Sequence, residues 1–226
     1  IYTLGGGVSW LARKHGLGCN HVVAIEVVTA DGRLVRADHE HEPDLFWALR
    51  GGGGNFGVVT AIELELFELA ELYAGVLFFP VDRAREVLKA WRRWVRTAPD
   101  EVTSIGRILN VPPIEEAPEM LRGRSFVTVE AAIVGDEAFG AELIRPLRDL
   151  GPELDLFGMM PPVGLSRLHM DPEGQVQASI SDTLLLTDDL DDAAIDAIAA
   201  VMGGPEPSPL VMYELRHLGG ALARRG

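Results

Sequence analysis

The stretch Arg50-Gly51-Gly52-Gly53-Gly54-Asn55-Phe56-Gly57-Val58-Val59-Thr60 has the composition and spacing of a ligand loop. Glycine lacks a Cβ, so the backbone can take positive φ and a ligand can approach it at contact distance. Successive peptide N–H groups in such a loop bind anionic groups. Gly52, Gly54 and Gly57 satisfy the spacing G-x-G-x-x-G. The dinucleotide fingerprint, however, needs a strand before the glycines and a helix after them. Here Pro43-Asp44-Leu45-Phe46-Trp47-Ala48-Leu49 reads as a helix before the run, and Val58-Val59-Thr60-Ala61-Ile62-Glu63-Leu64-Glu65-Leu66 as a strand after it. The reversed order excludes a Rossmann site. The kinase spacing G-x-G-x-x-G-x-V also fits at Val59, but the lysine, H-R-D and D-F-G motifs of a kinase are absent. A helix end with a glycine turn explains one or two glycines, not four together with Gly57.

The elements that must hold this loop follow from periodicity. A short helix over 7–16 ends at glycine. A β-branched run at 22–29, the turn Asp31-Gly32 and Leu34-Val35 make a hairpin. An acidic loop, 38–42, leads into the helix at 43–49, and a strand over 57–68 closes the first region. A composition shift follows. Strands are expected at 72–80, 102–111, 125–134, 154–160, 177–186 and 210–215. Helices are expected at 84–96, 136–150 and 191–202, the first capped by Asp82 and amphipathic through Val87, Leu88, Trp91 and Val95. Such an alternation predicts an antiparallel sheet covered by helices on one face, hence an α+β fold, with regions 1–68 and 69–226.

The chain has 226 residues, is 47% hydrophobic and carries a net charge of −14. The charge argues against nucleic-acid and anionic-membrane partners. No apolar run is long enough for a membrane-spanning helix. The single cysteine, Cys19, excludes a disulfide framework and reads as a structural thiol. The balance fits a bacterial cytoplasmic protein. His39-Glu40-His41-Glu42 has H-x-H spacing but no distant third ligand, so a solvated acidic loop is expected and no metal. His15 and His21 are expected at the surface or in capping roles.

Several segments together resemble one family. They are Gly5-Gly6-Gly7-Val8-Ser9-Trp10-Leu11-Ala12-Arg13-Lys14-His15-Gly16-Leu17, Asn20-His21-Val22-Val23, the hairpin from Val27 to Val35, and the run from Pro43 to Val59. This order is similar to the FAD-linked oxidases of the berberine-bridge-enzyme-like group, within the vanillyl-alcohol oxidase and p-cresol methylhydroxylase superfamily. The similarity is dense over 1–68 and diffuse beyond, with Glu214-Leu215-Arg216-His217-Leu218-Gly219-Gly220-Ala221 the best later segment. The resemblance implies part of a PCMH-type FAD-binding domain followed by an antiparallel-sheet substrate domain. It implies FAD as cofactor, held through Gly6, Gly7, Val8, Gly53, Gly54, Asn55, Gly57 and Val59. It further implies an oxidase that passes hydride from a substrate C–OH to flavin, with reoxidation by oxygen. Its substrate is a small molecule.

On the substrate side, the resemblance points to polar residues on strands of the second region. Arg107 interrupts an apolar strand, Ser179, Ser181 and Asp182 lie on another, and Tyr213, Glu214, Arg216 and His217 cluster late. Arg107, Ser181 and Arg216 are candidate substrate contacts, and Tyr213 or Glu214 a candidate base. Ordinary outward-facing strand residues are the alternative at each position. The family's pyrophosphate loop, its covalent-link segments and its late Asn-Tyr pair do not occur in these 226 residues. The expectation is therefore a central portion of an oxidase, binding FAD weakly or not at all by itself. A non-catalytic remnant acting as an interaction module is the alternative function.

Overall fold

The computed structural model describes residues 2–115, 119–170, 181–184, 189–204, 208 and 210–224. The chain separates into two compact units, Ile1–Leu69 with Leu218–Gly226, and Ala70–His217.

In the first unit β1 (Val22–Val28) is the centre of a three-stranded antiparallel sheet, flanked by β2 (Leu34–Ala37) and β3 (Val58–Leu64). The short helix α1 (Ala12–His15) stops at Gly16, whose φ of 92° lets its N–H return to Ala12 O. Helix α2 (Pro43–Leu49) begins on proline, where the missing N–H costs nothing. It buries Phe46 and Leu49 against Val22, Ile25, Val27 and Ala37 of the sheet. The strand expected to run to 68 ends at Leu64, because Glu65 N turns to donate to His21 O at 2.8 Å. Residues 218–224 belong to this unit, although the sequence placed them with the second. Arg13 Nη1 donates to Leu218 O at 2.5 Å, and Ala221 is buried.

The second unit is an antiparallel sheet in the order β7-β4-β6-β5-β9, with β8 also paired to β4. Its strands are β4 (Leu72–Pro80), β5 (Val102–Asn110), β6 (Ser125–Ile133), β7 (Leu154–Asp155), β8 (Gly158–Met160) and β9 (Met212–Arg216). Helices α3 (Ala84–Val95), α4 (Glu137–Arg148) and α5 (Asp192–Gly203) cover one face. Alternate residues of the strands, including Leu77, Phe79, Val127, Val129 and Ile108, meet Leu88, Trp91, Ile144, Leu147 and Ile195 in one core. Trp91 Nε1 donates to Ser104 Oγ at 2.9 Å, and that hydroxyl donates to Glu130 O, so the polar atoms in this core are paired. Lys89, Arg92 and Arg96 reach Asp196, Asp192 and Asp189 at 2.8, 2.8 and 2.6 Å.

Three expectations are corrected here. Asp82 does not cap α3; a 3-10 turn, Val81–Arg83, leads into the helix without a side-chain cap. Asp136 and Asp191 do cap their helices, accepting from Phe139 N and Ala194 N. The single strand over 154–160 is two, because Asp155 Oδ1 accepts from Phe157 N and turns the chain between β7 and β8. The last strand starts at Met212 rather than 210. Of the strand expected at 177–186, residues 177–180 and 185–186 lie outside the described residues, and 181–184 are irregular. Among the described residues no helix is long and apolar enough to cross a membrane.

The packing of β4 on the β7–β8 turn gives a direct test. A Cβ on Gly75 would strike Phe157 Cα and come within 2.6 Å of Leu156 O, whereas one on Gly158 would meet nothing within 4 Å. Gly75→Ala is expected to lower stability by about 1–3 kcal/mol in urea unfolding, and Gly158→Ala to change it by less than about 0.5 kcal/mol.

Candidate functional site

The first unit brings its two glycine segments together. A Cβ on Gly51 would lie 3.8 Å from both Gly6 Cα and Gly6 N. The first segment is pinned from the other side, since Cys19 N donates to Gly6 O at 2.9 Å and Gly18 N to Gly7 O at 2.7 Å.

The glycines then divide into two kinds. A Cβ on Gly7 would lie 2.9 Å from the Tyr2 ring, one on Gly52 would strike Ala48 O, and one on Gly57 would lie 2.5 Å from Val28 O. These three are glycine because the fold closes on them. Gly5, Gly6, Gly53 and Gly54 have nothing within 4 Å of an added Cβ. Gly6 and Gly53 also hold φ of 100° and 67°. An open, side-chain-free surface of this kind admits a ligand against the main chain.

The other predicted contacts are placed as follows. Asn55 uses its amide to donate to Gly52 O at 2.8 Å, which holds the loop. Val8 is exposed, while Val59 packs against the core of the unit. A cavity of about 220 Å³ in this unit is lined by Cys19, Asn20, Trp47, Arg50 and Arg224, among others. Arg50 lies over the Phe46 ring at 4.7 Å, with its Nε buried and without a hydrogen-bond partner among the described residues.

The acidic loop is organised by Asp38. Its Oδ1 accepts from His41 N and Glu40 N, and the bonds from His41 and Glu40 hold its carboxyl down at about 2. His39 packs edge-on against Phe46 instead of sharing a ligand site with His41. Among the described residues no cluster could hold a metal ion.

In the second unit the sheet face away from the helices carries a buried charge cluster. Cross-strand partners share a face in an antiparallel pair. Arg107 of β5 stands opposite Thr128 of β6 and Glu214 of β9, and Ile105 opposite Glu130 and Arg216. Arg107 is 2% exposed and Glu130 0%. Arg107 Nη2 lies 2.6 Å from Glu130 Oε1 and also donates to His169 O at 3.2 Å. Glu214 Oε1 lies 3.9 Å from Arg107 Nη1, and Arg216 pairs with Glu214 at 2.8 Å. Thr128 Oγ1 donates to Glu130 Oε1 at 3.3 Å, and His169 Nδ1 lies 2.7 Å from Glu130 Oε2.

Arg107, Glu214 and Arg216 are therefore brought together, with Arg107 spent on partners inside the cluster. Tyr213 is not with them. It stands opposite Ile108, on the helix-bearing face with Leu215, because neighbours along a strand alternate. Ser181 is exposed and outside any strand, and Ser179 lies outside the described residues. Sequence inspection missed Thr128, Glu130 and His169. The signal for the first two was present, as polar residues two apart in the apolar strand Phe126-Val127-Thr128-Val129-Glu130-Ala131. His169 follows an aperiodic stretch and gave none.

No protein-family model matches the chain. An FAD-dependent monooxygenase of Fusarium proliferatum is 45% identical over 78 residues, 34% of this chain and 15% of that protein. An uncharacterised FAD-linked oxidoreductase of Bacillus subtilis is 36% identical over 107 residues, 45% of this chain and 24% of that protein. Among solved structures, a chitooligosaccharide oxidase superposes with a TM-score of 0.71 at 21% identity, over 99% of this chain and 49% of that one. The Bermuda grass isoallergen BG60 gives 0.70 at 20% identity, over 98% and 45%. The chain thus spans less than a quarter of the length of these two curated relatives and about half of the solved ones. The resemblance to FAD-linked oxidases is borne out, and the α+β fold is that of these solved structures.

Removing one member of the buried pair leaves the other charged in a dry place. Arg107→Ala is expected to cost about 3–5 kcal/mol in urea unfolding. A loss under about 1 kcal/mol would mean that the cluster is wet.

Proposed function

We propose that this chain is part of an FAD-dependent oxidoreductase that oxidises a small polar substrate at a C–OH or similar group. The carrying observation is the adjacent pair of glycine segments, open at Gly5, Gly6, Gly53 and Gly54. The group implied by the relatives is long, anionic and planar at its ends. Main-chain N–H groups on an open surface fit such a group without a charged side chain. FAD, when bound, would accept the hydride and pass electrons to oxygen. The protein's own part on the substrate side is the exposed edge of the charge cluster, where Glu214 and Arg216 offer one acceptor and one donor set to a polar molecule. The net charge of −14 supports a small-molecule substrate over a nucleic acid.

An interaction module is the second reading. It is supported by apolar side chains exposed along and after β3, with Val58 70% and Leu66 87% accessible.

The two separate on one variant. Gly54 has an ordinary φ of −83° and open space around it, so Gly54→Ala is expected to fold normally. In the full-length protein it is expected to weaken FAD binding about tenfold, or about 1.4 kcal/mol, in a fluorescence-quenching titration. Absence of FAD binding by the unmodified protein would favour the interaction module.

A further inference from the structure

The cavity of the first unit carries positive charge that nothing in its lining answers. It measures about 220 Å³, and Asn20, Trp47, Arg50 and Arg224 line it together with Leu17 and Leu222. The chain has 34 acidic residues against 20 lysines and arginines, yet no carboxylate lines this cavity. Three short elements build it. Trp47 and Arg50 stand three apart at the end of α2, on one side of the helix. Asn20 comes from the 3-10 turn Gly18–His21, and Leu222 from the 3-10 turn Gly220–Ala223. The Arg50 guanidinium lies over the buried Phe46 ring at 4.7 Å, a contact that engages its charge while its N–H groups still need acceptors. Its Nε is buried without a hydrogen-bond partner, and no carboxylate stands within ion-pair distance of it among the described residues. A buried donor without an acceptor is rare in a folded chain.

We propose that this cavity binds a ring-sized organic oxyanion, an aromatic or heterocyclic carboxylate, at a site separate from the glycine segments. The carboxylate goes to Arg50, whose planar guanidinium matches two oxygens at once. Arg224 adds positive charge to the same lining. The Asn20 amide takes the Cys19 thiol on its oxygen at 3.5 Å, so its nitrogen remains as a donor. The ring of the ligand meets Leu17, Leu222 and Trp47, the last 74% accessible and so at the rim. A bare inorganic anion would leave these apolar groups unused. Size agrees. A cavity of about 150 Å³ admits benzene, so 220 Å³ takes a ring with one charged group. It falls below the roughly 300–1,000 Å³ of sites for larger ligands. No glycine lines the cavity, and the site does not rest on the cofactor proposed above.

Calorimetric titration of the full-length protein with benzoate, benzamide and inorganic phosphate tests this. Benzoate should bind saturably. Benzamide, which keeps the shape without the charge, should bind about tenfold more weakly or worse. Phosphate, which keeps the charge without the ring, should bind more weakly than benzoate. Arg50→Gln should weaken benzoate about tenfold or more. Trp47→Ala, at an exposed position, should fold normally and weaken it severalfold. If Arg50→Gln does not fold, the contrast of benzoate with benzamide and the Trp47→Ala variant decide. Absence of saturable benzoate binding, equal binding of benzamide, or indifference to the variants overturns the proposal. Phosphate binding as tightly as benzoate overturns the organic ligand. Saturating FAD should leave the benzoate affinity unchanged, and competition between the two overturns the separate site.

Discussion

The ion pair of Arg107 with Glu130 is the constraint on which the second unit is arranged. Both side chains are withdrawn from water, at 2% and 0% exposure, and two desolvated charges demand hydrogen-bond partners, which they find for all but Arg107 Nε and Glu130 Oε2 among the described residues. That demand accounts for the company they keep. Thr128 donates to the carboxylate and the His169 ring lies beside it, while His169 O and Glu214 serve the guanidinium. A purely apolar face would have been easier to bury. The polar cluster instead gives that face a fixed charge pattern, with Glu214 and Arg216 at its more accessible edge.

A different constraint shapes the first unit, where side chains are left out rather than paired. Close backbone packing forces glycine at 7, 52 and 57, but nothing in the fold requires it at 5 or 54. A position at an ordinary backbone angle, with open space, has no packing reason to lack a side chain. On the function proposed above, its reason lies in the ligand that approaches it. Two such open segments adjoin, which is why the glycine run reads as a contact surface and not as a turn alone.

Much of this was legible in the sequence. The hairpin, the helix before the glycines and the strand after them follow from β-branched runs, the Asp31-Gly32 turn and proline at the helix start, all local signals. The helix-covered sheet followed from alternation of strand and helix patterns. What escaped was non-local. Leu218–Gly226 return to the first unit because Arg13 reaches back to Leu218, a contact across more than two hundred residues that no window detects. Tyr213 and Glu214 looked equivalent in the sequence, yet strand register places them on opposite faces. His169 has no periodic context, and only the folded arrangement sets it beside Glu130.

Hydrogen–deuterium exchange of the full-length protein, with and without FAD, measures the central claim most directly. The account predicts that FAD slows exchange at the amides of residues 5–8 and 51–57, while those of α3 and α5 stay unchanged. Tight FAD binding with no protection in either glycine segment would contradict it.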